Sequence, residues 1–191
     1  MKDARCMVGC MLAAGQYYPR TCAPEDIRAA QEADRDNYFF TDVQARGAYP
    51  VWAKKRMEKA GITLHTEPGD EQVLKEGTVD FVSFSYYSSR CITTDKEILA
   101  EEKADGNAVL EAVKNPYLKA SEWGWAIDGG PARDPEHHLR PVRKAHVHCG
   151  ERPWRGGYRG SGRSIHDSYR IDYLRAHIEQ MEKAVNEDGL P

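Results

Sequence analysis

Histidine and cysteine side chains concentrate in one stretch of the sequence, where their types could bind a metal ion. Residues 129–163 hold four of the seven histidines and one of the five cysteines. Imidazole and thiolate are ligands that zinc prefers, but a zinc site needs about four of them on a rigid scaffold. We predict no metal site, because the composition of this stretch has a coding explanation. The residues concerned are His137, His138, His146, His148 and Cys149.

Arginine is the second residue type that this stretch concentrates. Its eight Lys and Arg against three Asp and Glu give a net charge of +5, so the rest of the chain, whose total is −3, stands at −8. Arginines from Arg133 to Arg163 with Trp154 and Tyr158 among them are typical of nucleic-acid-binding segments. A charged stretch with seven of the 16 glycines is equally typical of a solvated, disordered linker. We favour the linker and predict no nucleic-acid partner.

Length and composition limit the class of protein. A chain of 191 residues suits one domain or a piece of a larger one. Its mean hydropathy of −0.72, without an apolar run of about 18 residues, predicts no association with a membrane. The five cysteines form no Cys-x-x-Cys pair, and an odd number of cysteines suits a reducing compartment. We therefore predict a cytoplasmic protein.

The flanking regions have the caps and apolar spacing of folded elements. We predict strands near 5–12 and 78–87, helices near 24–37, 50–60 and 70–75, and a long loop over 88–115. A last helix, capped by Asp167, would bury a face of apolar residues spaced three and four apart. These residues are Ile171, Leu174, Ile178, Met181 and Val185. Short strands separated by helices predict an α/β architecture with a parallel sheet.

Five stretches of the sequence resemble the family-one glycoside hydrolases, most closely their 6-phospho-β-glucosidase branch. They are VGCML, YFFTDVQARGAYP, VDFVSFSYY, NPYLKASEWGWAID and SIHDSYRIDYLRAHIEQMEKAV, in the order and spacing of the family. The resemblance implies an incomplete (β/α)8 barrel, from about strand five to the helix after strand seven. It also implies retaining hydrolysis of phosphorylated β-glucosides, with no metal or organic cofactor.

That hydrolysis needs two carboxyl groups, one as acid/base and one as nucleophile, about 5–5.5 Å apart. The resemblance implies that the acid/base glutamate would lie upstream of Met1. It implies a nucleophilic glutamate at the end of strand seven, in a Phe-Ile-Val-Glu-Asn-Gly motif that this sequence lacks. Gly150 holds the position of the nucleophile, and we assign no role to its neighbour Glu151. We therefore expect the chain to be inactive.

A shift of reading frame explains the missing motif. Residues 146–152 can be encoded by CAT GTT CAT TGT GGA GAA CGG, which read one base later gives Met-Phe-Ile-Val-Glu-Asn-Gly. The same offset gives family-like residues upstream, and the normal frame returns at Ser164. We therefore predict three regions. They are a barrel segment with strands five and six over 1–128, a frameshifted and disordered segment with strand seven disrupted over 129–163, and the following helix over 164–191.

Two aromatic residues become site candidates through the resemblance. Tyr87, the last residue of the SYY motif, matches the family tyrosine that hydrogen-bonds the nucleophile, so it would be an auxiliary catalytic residue whose partner is missing. Trp125, in WGW, matches the family aromatic on the aglycone side, whose flat face packs against substrate. The alternatives are a buried core tyrosine and ordinary packing of the barrel wall. Ser85 stands where many relatives carry asparagine and the 6-phospho branch commonly carries serine.

The sequence thus leaves two functions open. The first is an enzyme lineage, a 6-phospho-β-glucosidase whose product has lost its catalytic glutamates. The second is a non-catalytic fragment that acts at most as an interaction module. A complementing chain that supplies the missing strands is compatible with both.

Overall fold

The computed structural model describes residues 6–102, 112–121, 124–128, 145–150 and 167–187, the range 145–150 by its backbone alone. The strands are β1 (Gly9–Ala14), β2 (Tyr17–Pro19), β3 (Phe81–Tyr86), β4 (Arg90–Ile92), β5 (Lys119–Ala120), β6 (Ala126–Ile127) and β7 (Ala145–Gly150). The helices are α1 (Pro24–Arg46), α2 (Val51–Lys59), α3 (Asp70–Glu76), α4 (Lys96–Glu101) and α5 (Ser168–Asn186). The alternation of strands and helices agrees with the predicted α/β class.

The central sheet has three parallel strands in the order β1-β3-β7. Strands β1 and β3 pair without a slip, from Gly9 opposite Phe81 to Ala14 opposite Tyr86. Parallel pairing brings the C-terminal ends of all three strands to the same edge of the sheet. In the (β/α)8 barrel that the resemblance implies, the active site forms at that edge.

The seventh strand of the expected barrel differs from the prediction. Five of the six residues of β7, all but Cys149, pair in parallel with β3, although we expected this strand to be disrupted. Pairing in a sheet uses the main-chain N–H and C=O groups, which every residue except proline carries in full. The prolines Pro135, Pro141 and Pro153 lie outside these six residues. The rest of the segment 129–163 falls outside the described residues, so the predicted disorder there stays a prediction.

One face of the sheet is buried against α1. Side chains from β1 and β3 pack there with residues of the helix, and the cluster consists of Leu12, Tyr38, Ala45, Val79, Val82, Phe84 and Tyr86. Helix α1 has Pro24 as its first residue, as predicted, but it runs beyond the expected end near Asn37. It continues because Tyr38, Thr41 and Ala45 extend its buried stripe at spacings of three and four.

Helix α1 ends at Gly47, which adopts a left-handed conformation with φ = 69°. The N–H group of Gly47 donates to the carbonyl of Val43 at 2.8 Å. A Cβ atom at this position would lie 2.6 Å from the carbonyl oxygen of Leu74, so a side chain would clash as well as strain the backbone. Glycine therefore sets both the end of α1 and its close approach to α3.

The range 88–115, which we predicted to be a long loop, contains β4 and α4. Strand β4 pairs in parallel with β2, from Tyr17 opposite Arg90. Arg20, which follows β2, binds the carboxylate of Glu102 through both terminal nitrogens at 2.7 and 3.0 Å. Strand β4 is thus held by a distant strand, which local sequence patterns do not reveal. Helix α4 begins at a local cap, because the Asp95 carboxylate accepts from the N–H groups of Glu97 and Ile98.

Buried Asp26, in the first turn of α1, fixes the loop between β4 and α4. Its carboxylate accepts hydrogen bonds from the hydroxyls of Thr21, Thr93 and Thr94 and from the N–H of Thr94. Burial alone would raise the pKa of Asp26, but these hydrogen bonds outweigh it and lower the pKa below its usual value. The carboxylate therefore stabilises the fold in its charged form.

Helix α5 was predicted correctly in position, but its buried face is a different one. Tyr173, His177 and Ala184 are buried, at spacings of four and seven. Of the five apolar residues predicted to be buried, Ile171, Leu174, Ile178 and Val185 are exposed and Met181 is half-buried. Asp167 precedes the helix but makes no capping bond, and its carboxylate instead accepts from Arg170 at 2.6 Å. Polar and aromatic side chains thus make the contact that we had assigned to the aliphatic ones.

Candidate active site

The candidate site lies where the parallel strands end. Ala14 of β1 is opposite Tyr86 of β3, and Ser85 of β3 is opposite Gly150 of β7. The register of β7 shifts between Phe84 and Ser85, since Phe84 is opposite His148. One extra residue of β7, Cys149, is accommodated there as a bulge. Such bulges are common beside active sites, because they change the direction of the strand end.

Tyr87 is the first residue after β3 and is 41% exposed. Its ring lies 6.3 Å from that of Trp125, centroid to centroid, with the two planes at 62°. This edge-to-face arrangement is one that aromatic pairs prefer. The structure thus brings together the two aromatic residues that the sequence identified separately.

A tight hairpin positions Trp125. Strands β5 and β6 pair antiparallel, and the main-chain N–H of Ser121 donates to the carbonyl of Trp125 at 2.8 Å. The N–H of Trp125 donates in return to the Ser121 hydroxyl at 3.2 Å. Gly124 makes the turn possible with φ = 80°. Half-buried Trp125 also borders a cavity of about 110 Å³ that lies against β4, with Cys91 and Val113 in its wall.

Helix α5 contacts the C-terminal end of β3. The hydroxyl of buried Tyr173 donates to the main-chain carbonyl of Tyr87 at 3.2 Å. The ring of Tyr173 lies against that of fully buried His177, with the centroids 4.1 Å apart. Nδ1 of His177 is 2.8 Å from the carbonyl oxygen of Tyr173 and must carry the proton, because a carbonyl can only accept. The contact from Tyr173 fixes the backbone that carries the candidate tyrosine.

Our sequence analysis missed Tyr173. The available signal was the spacing of four between Tyr169, Tyr173 and His177, which places three ring side chains on one face of the helix. The aliphatic stripe on the neighbouring face was the stronger pattern and concealed it.

Two further ionisable residues near this edge, Tyr86 and Asp128, are both buried. Burial raises the pKa of the Tyr86 phenol far above its ordinary value, and the negative charge of Asp128 raises it further. Burial therefore favours the neutral phenol of Tyr86, which is a poor nucleophile and a poor general base.

Gly150 occupies the end of β7 and has no side chain. A retaining glycosidase needs a carboxylate that attacks the anomeric carbon from such a strand end. Ser85, beside it in the register, offers only a hydroxyl, which donates to the Met11 sulfur at 3.6 Å. The site therefore combines an aromatic platform with a neutral phenol, and it has no carboxylate at residue 150.

Within the described ranges, no group of three or more His, Cys, Asp and Glu residues could hold a metal ion. The side chains of His137, His138, His146, His148 and Cys149 lie outside the described residues, as do Trp154 and Tyr158. The expected absence of metal and nucleic-acid sites in that segment thus stays a prediction. Among the described helices, none has the length and hydropathy to cross a bilayer. The cytoplasmic location also stays a prediction.

Comparison with known sequences identifies the relatives of this chain. The profile of glycosyl hydrolase family 1 matches residues 2–191. The 6-phospho-β-glucosidase AscB of Escherichia coli (strain K12) is 43% identical over 189 residues, which cover 96% of this chain and 38% of the relative. The aryl-phospho-β-D-glucosidase BglH of Bacillus subtilis (strain 168) is 43% identical and the phospho-cellobiase of Klebsiella oxytoca 40% identical, over 93% and 96% of this chain. The chain spans 38% and 39% of their lengths.

Comparison with solved structures identifies the fold. A β-glucosidase from Exiguobacterium marinum superposes with a TM-score of 0.74 at 22% identity, over 96% of this chain and 40% of that one. A β-glucosidase from Thermotoga maritima in complex with glucoimidazole superposes with a TM-score of 0.73 at 25% identity, over 95% of this chain and 39% of that one. The described strands and helices therefore have the arrangement of a segment of these family 1 β-glucosidases.

Proposed function

The chain belongs to glycosyl hydrolase family 1, in its 6-phospho-β-glucosidase branch, and from this we propose that it derives from a retaining hydrolase of phosphorylated β-glucosides. The names of the relatives support this substrate class, since all three act on phosphorylated glucosides. The β-glucosidase fold supports the reaction type.

We propose further that the chain by itself does not hydrolyse these substrates. The single observation that carries this proposal is the glycine at the end of β7, residue 150, in the position of the nucleophile. Without a carboxylate there, no covalent glycosyl–enzyme intermediate can form. Tyr87 then has no carboxylate to orient, although its place beside Trp125 agrees with the role that the resemblance implies.

A direct assay tests the inactivity. We expect the purified chain to release no detectable p-nitrophenol from p-nitrophenyl 6-phospho-β-D-glucoside. The loss of a nucleophile typically lowers the rate by about 10⁴-fold or more. The E. coli relative, diluted about 10⁴-fold below the chain, serves as the positive control on that scale. Turnover by the chain above the rate of this diluted control would refute the proposal.

The frameshift is proposed as the origin of Gly150. Its support is the coding string for residues 146–152, which one base later specifies a strand that ends in glutamate. The test is the nucleotide sequence of codons 128–163. We expect the shifted frame to encode Met-Phe-Ile-Val-Glu-Asn-Gly at that position. Any other translation of the shifted frame would eliminate this origin and leave the inactivity to be decided by the assay.

A second function, that of an interaction module, has one observation in its favour. Strand β1 is at the end of the strand order, and Met11 on it is exposed, so the described part of the sheet presents an open apolar edge. A fragment of a barrel could bind a complementing chain through such an edge.

A further inference from the structure

We infer that a cavity at the opposite edge of the sheet from the candidate active site binds a sugar phosphate. The cavity has a volume of about 400 Å³ and lies between the end of α1, helix α2, the loop that follows α2 and helix α3. None of the residues in its wall belongs to the cavity beside Trp125. The binding site is therefore additional to the candidate active site and goes beyond the proposed function.

This cavity lies where β3 begins, whereas the candidate active site lies where β3 ends. Helix α3 contributes Leu74 and Lys75 to the wall and precedes β3 along the chain. The N–H of Val79, two residues before the strand, donates to the carbonyl of Gln44 near the end of α1 at 3.1 Å. The six residues of β3 span about 20 Å, at about 3.3 Å each. A ligand in the cavity would thus stay well away from Tyr87 at the other end of the strand.

Main-chain contacts hold the walls of the cavity in place. Gly47, where α1 ends, lies in the wall and makes the close approach to α3. At one end of the loop between α2 and α3, the N–H of Ile62 donates to the carbonyl of Met57 at 2.9 Å. At the other end, the N–H of Glu67 donates to the Asp70 carboxylate at 2.8 Å. Small-molecule sites are usually preformed cavities of about 300–1,000 Å³, and this cavity has that size and construction.

Three helices each contribute one cationic side chain to the cavity, namely Arg46 of α1, Lys54 of α2 and Lys75 of α3. Arg46 binds the Asp42 carboxylate through Nε at 2.7 Å, which leaves the N–H groups of its two terminal nitrogens to donate. Neither lysine makes an ion pair with any residue that the structure describes. Lys75 also stays separate from Glu71, although a spacing of four on one helix permits such a pair. A phosphate group is a ligand that arginine and lysine side chains recognise together.

Acidic and hydroxyl groups in the same wall favour a phosphate that is attached to a sugar. Glu71 makes no hydrogen bond through its carboxylate with the described residues, so both oxygens can accept from ligand hydroxyls. Thr66 adds a hydroxyl that can donate or accept. The negative end of the α1 dipole meets the wall at Gly47 and also favours hydroxyl donors. A second anionic group on the ligand would be repelled here, whereas sugar hydroxyls would be bound.

The apolar part of the wall fits the ring of a sugar. It consists of half-buried Tyr49 with Leu64 and Leu74. The Tyr49 ring lies 6.1 Å from that of Phe39, centroid to centroid, and Phe39 in turn packs against Trp52 at 5.8 Å. A fixed aromatic ring offers a flat apolar face on which the C–H groups of a sugar can pack. The phosphate, hydroxyl and ring surfaces of one ligand thus each have a counterpart in the cavity.

Titration of the chain with glucose 6-phosphate tests the site. We expect saturable shifts of the methyl NMR signals of Leu64 and Leu74, with half-saturation at millimolar concentration or below. Val113, in the wall of the cavity beside Trp125, is the reference and should not shift. Glucose and inorganic phosphate each lack part of the recognised groups, so each should bind about tenfold more weakly or worse.

Matched variants locate the ligand. Lys54→Glu and Lys75→Glu each replace a cation of the wall by an anion, so each should weaken the binding of glucose 6-phosphate by about tenfold or more. Lys55→Glu makes the same change of charge on the next residue of α2, outside the wall, and should change the affinity by no more than about twofold. Glu71→Gln should bring the affinities for glucose 6-phosphate and inorganic phosphate closer together, because it removes a hydroxyl acceptor and a repulsive charge. Circular dichroism of each variant should match the parent chain, because all four side chains are exposed.

Each other outcome overturns the inference. Unchanged signals of Leu64 and Leu74, or shifts of Val113 alone, would show that glucose 6-phosphate does not bind in this cavity. Inorganic phosphate that binds as tightly as glucose 6-phosphate would show that the wall does not recognise a sugar. Equal weakening by Lys54→Glu and Lys55→Glu would reduce the effect to general surface charge. None of these readouts measures hydrolysis, so their failure is distinguishable from a failure of the proposed inactivity.

Discussion

Single residues set what the candidate site can do. Tyr87 has its phenol ring against Trp125, whereas Gly150 has nothing to present to a substrate. The hydroxyl of buried Tyr173 has a structural role at the site, because it donates to the main-chain carbonyl of Tyr87. The two tyrosines should therefore respond differently to loss of their hydroxyl groups.

We expect Tyr173→Phe to lower the free energy of unfolding by about 1 kcal/mol, the usual net value of a buried hydrogen bond. Tyr87→Phe, at an exposed site, should stay within about 0.5 kcal/mol of the parent. Urea unfolding followed by circular dichroism measures both changes. Equal effects of the two substitutions would contradict the tether between Tyr173 and the carbonyl of Tyr87.

The hydrogen bonds of Asp26 predict how stability depends on pH. Its folded pKa lies below the unfolded value of about 3.9, so folding favours the charged form. The contribution to the free energy of unfolding is complete above about pH 5 and is lost as the pH falls through the unfolded pKa towards the folded one. Asp26→Asn should be about 1–3 kcal/mol less stable at pH 7.

Urea midpoints measured between pH 3 and pH 7 check this prediction. The difference between Asp26→Asn and the parent chain should shrink steadily as the solution becomes more acidic. Glu32→Gln is a control, because Glu32 makes an exposed ion pair with Arg28 in the same helix. A constant difference for Asp26→Asn over the whole range would contradict the lowered pKa.

At the scale of elements, the sequence predicted those whose signals are local. Helices α2 and α3 end where Gly61 and Gly77 follow them, and the β-branched and aromatic run of β3 forms a strand as expected. Strand β4 was missed because it depends on a distant partner, the parallel strand β2. Helix α4 did have a local signal that our sequence analysis overlooked, since Asp95 caps it by accepting from the N–H groups of Glu97 and Ile98. The disruption of β7 was predicted from its side chains, whereas its pairing uses the main chain.

Helix α5 shows the limit of periodicity as a guide to burial. Its aliphatic residues have the spacing of a core face, and its aromatic and small residues have the same spacing on the adjacent face. Periodicity cannot decide between two such faces. The contact between Tyr173 and the strand end, which no local pattern encodes, selects the second one.

The orientation of α5 gives a prediction at this scale. We expect Ala184→Glu to lower the free energy of unfolding by about 3 kcal/mol or more, because it buries an unpaired carboxylate. Ile178→Glu should stay within about 0.5 kcal/mol, since Ile178 is 57% exposed and Ala184 only 2%. Both variants are compared by urea unfolding. A larger loss of stability for Ile178→Glu than for Ala184→Glu would show that the aliphatic residues form the buried face of α5.

As a whole molecule, the described chain has the arrangement of a segment of a barrel, with helix α1 packed on one face of the central sheet. The α/β class, the barrel family and the choice of Tyr87 and Trp125 as candidates came from motifs, whereas the contact between their two rings did not. The buried support beneath that edge could not, since Tyr173 and His177 come close to it only through the tertiary fold. Motifs thus identify candidate site residues more readily than the residues that hold them in place.

Replacement of residues 146–152 by Met-Phe-Ile-Val-Glu-Asn-Gly tests how much the side chains of β7 contribute to the stability of the whole chain. The new strand would supply four large apolar residues to the central sheet, three of which the polar control described below lacks. We expect the free energy of unfolding to rise by about 2 kcal/mol or more, because each such side chain contributes about 1.5–3 kcal/mol when fully buried. Urea unfolding measures the change, with Met-Ser-Thr-Thr-Glu-Asn-Gly as a polar control. Equal midpoints for both replacements would show that the strand gains nothing from its apolar side chains.

The thiol of Cys91 can report local opening of the folded chain. Its side chain is 1% exposed in β4, and burial raises the pKa of the thiol to about 11. An alkylating reagent, which reacts with thiolates, should therefore modify Cys91 slowly, because its thiol is both buried and protonated at neutral pH. Cys6 and Cys22 are exposed and should be alkylated at once. The rate at which Cys91 is labelled would therefore measure how often strand β4 separates from the rest of the protein.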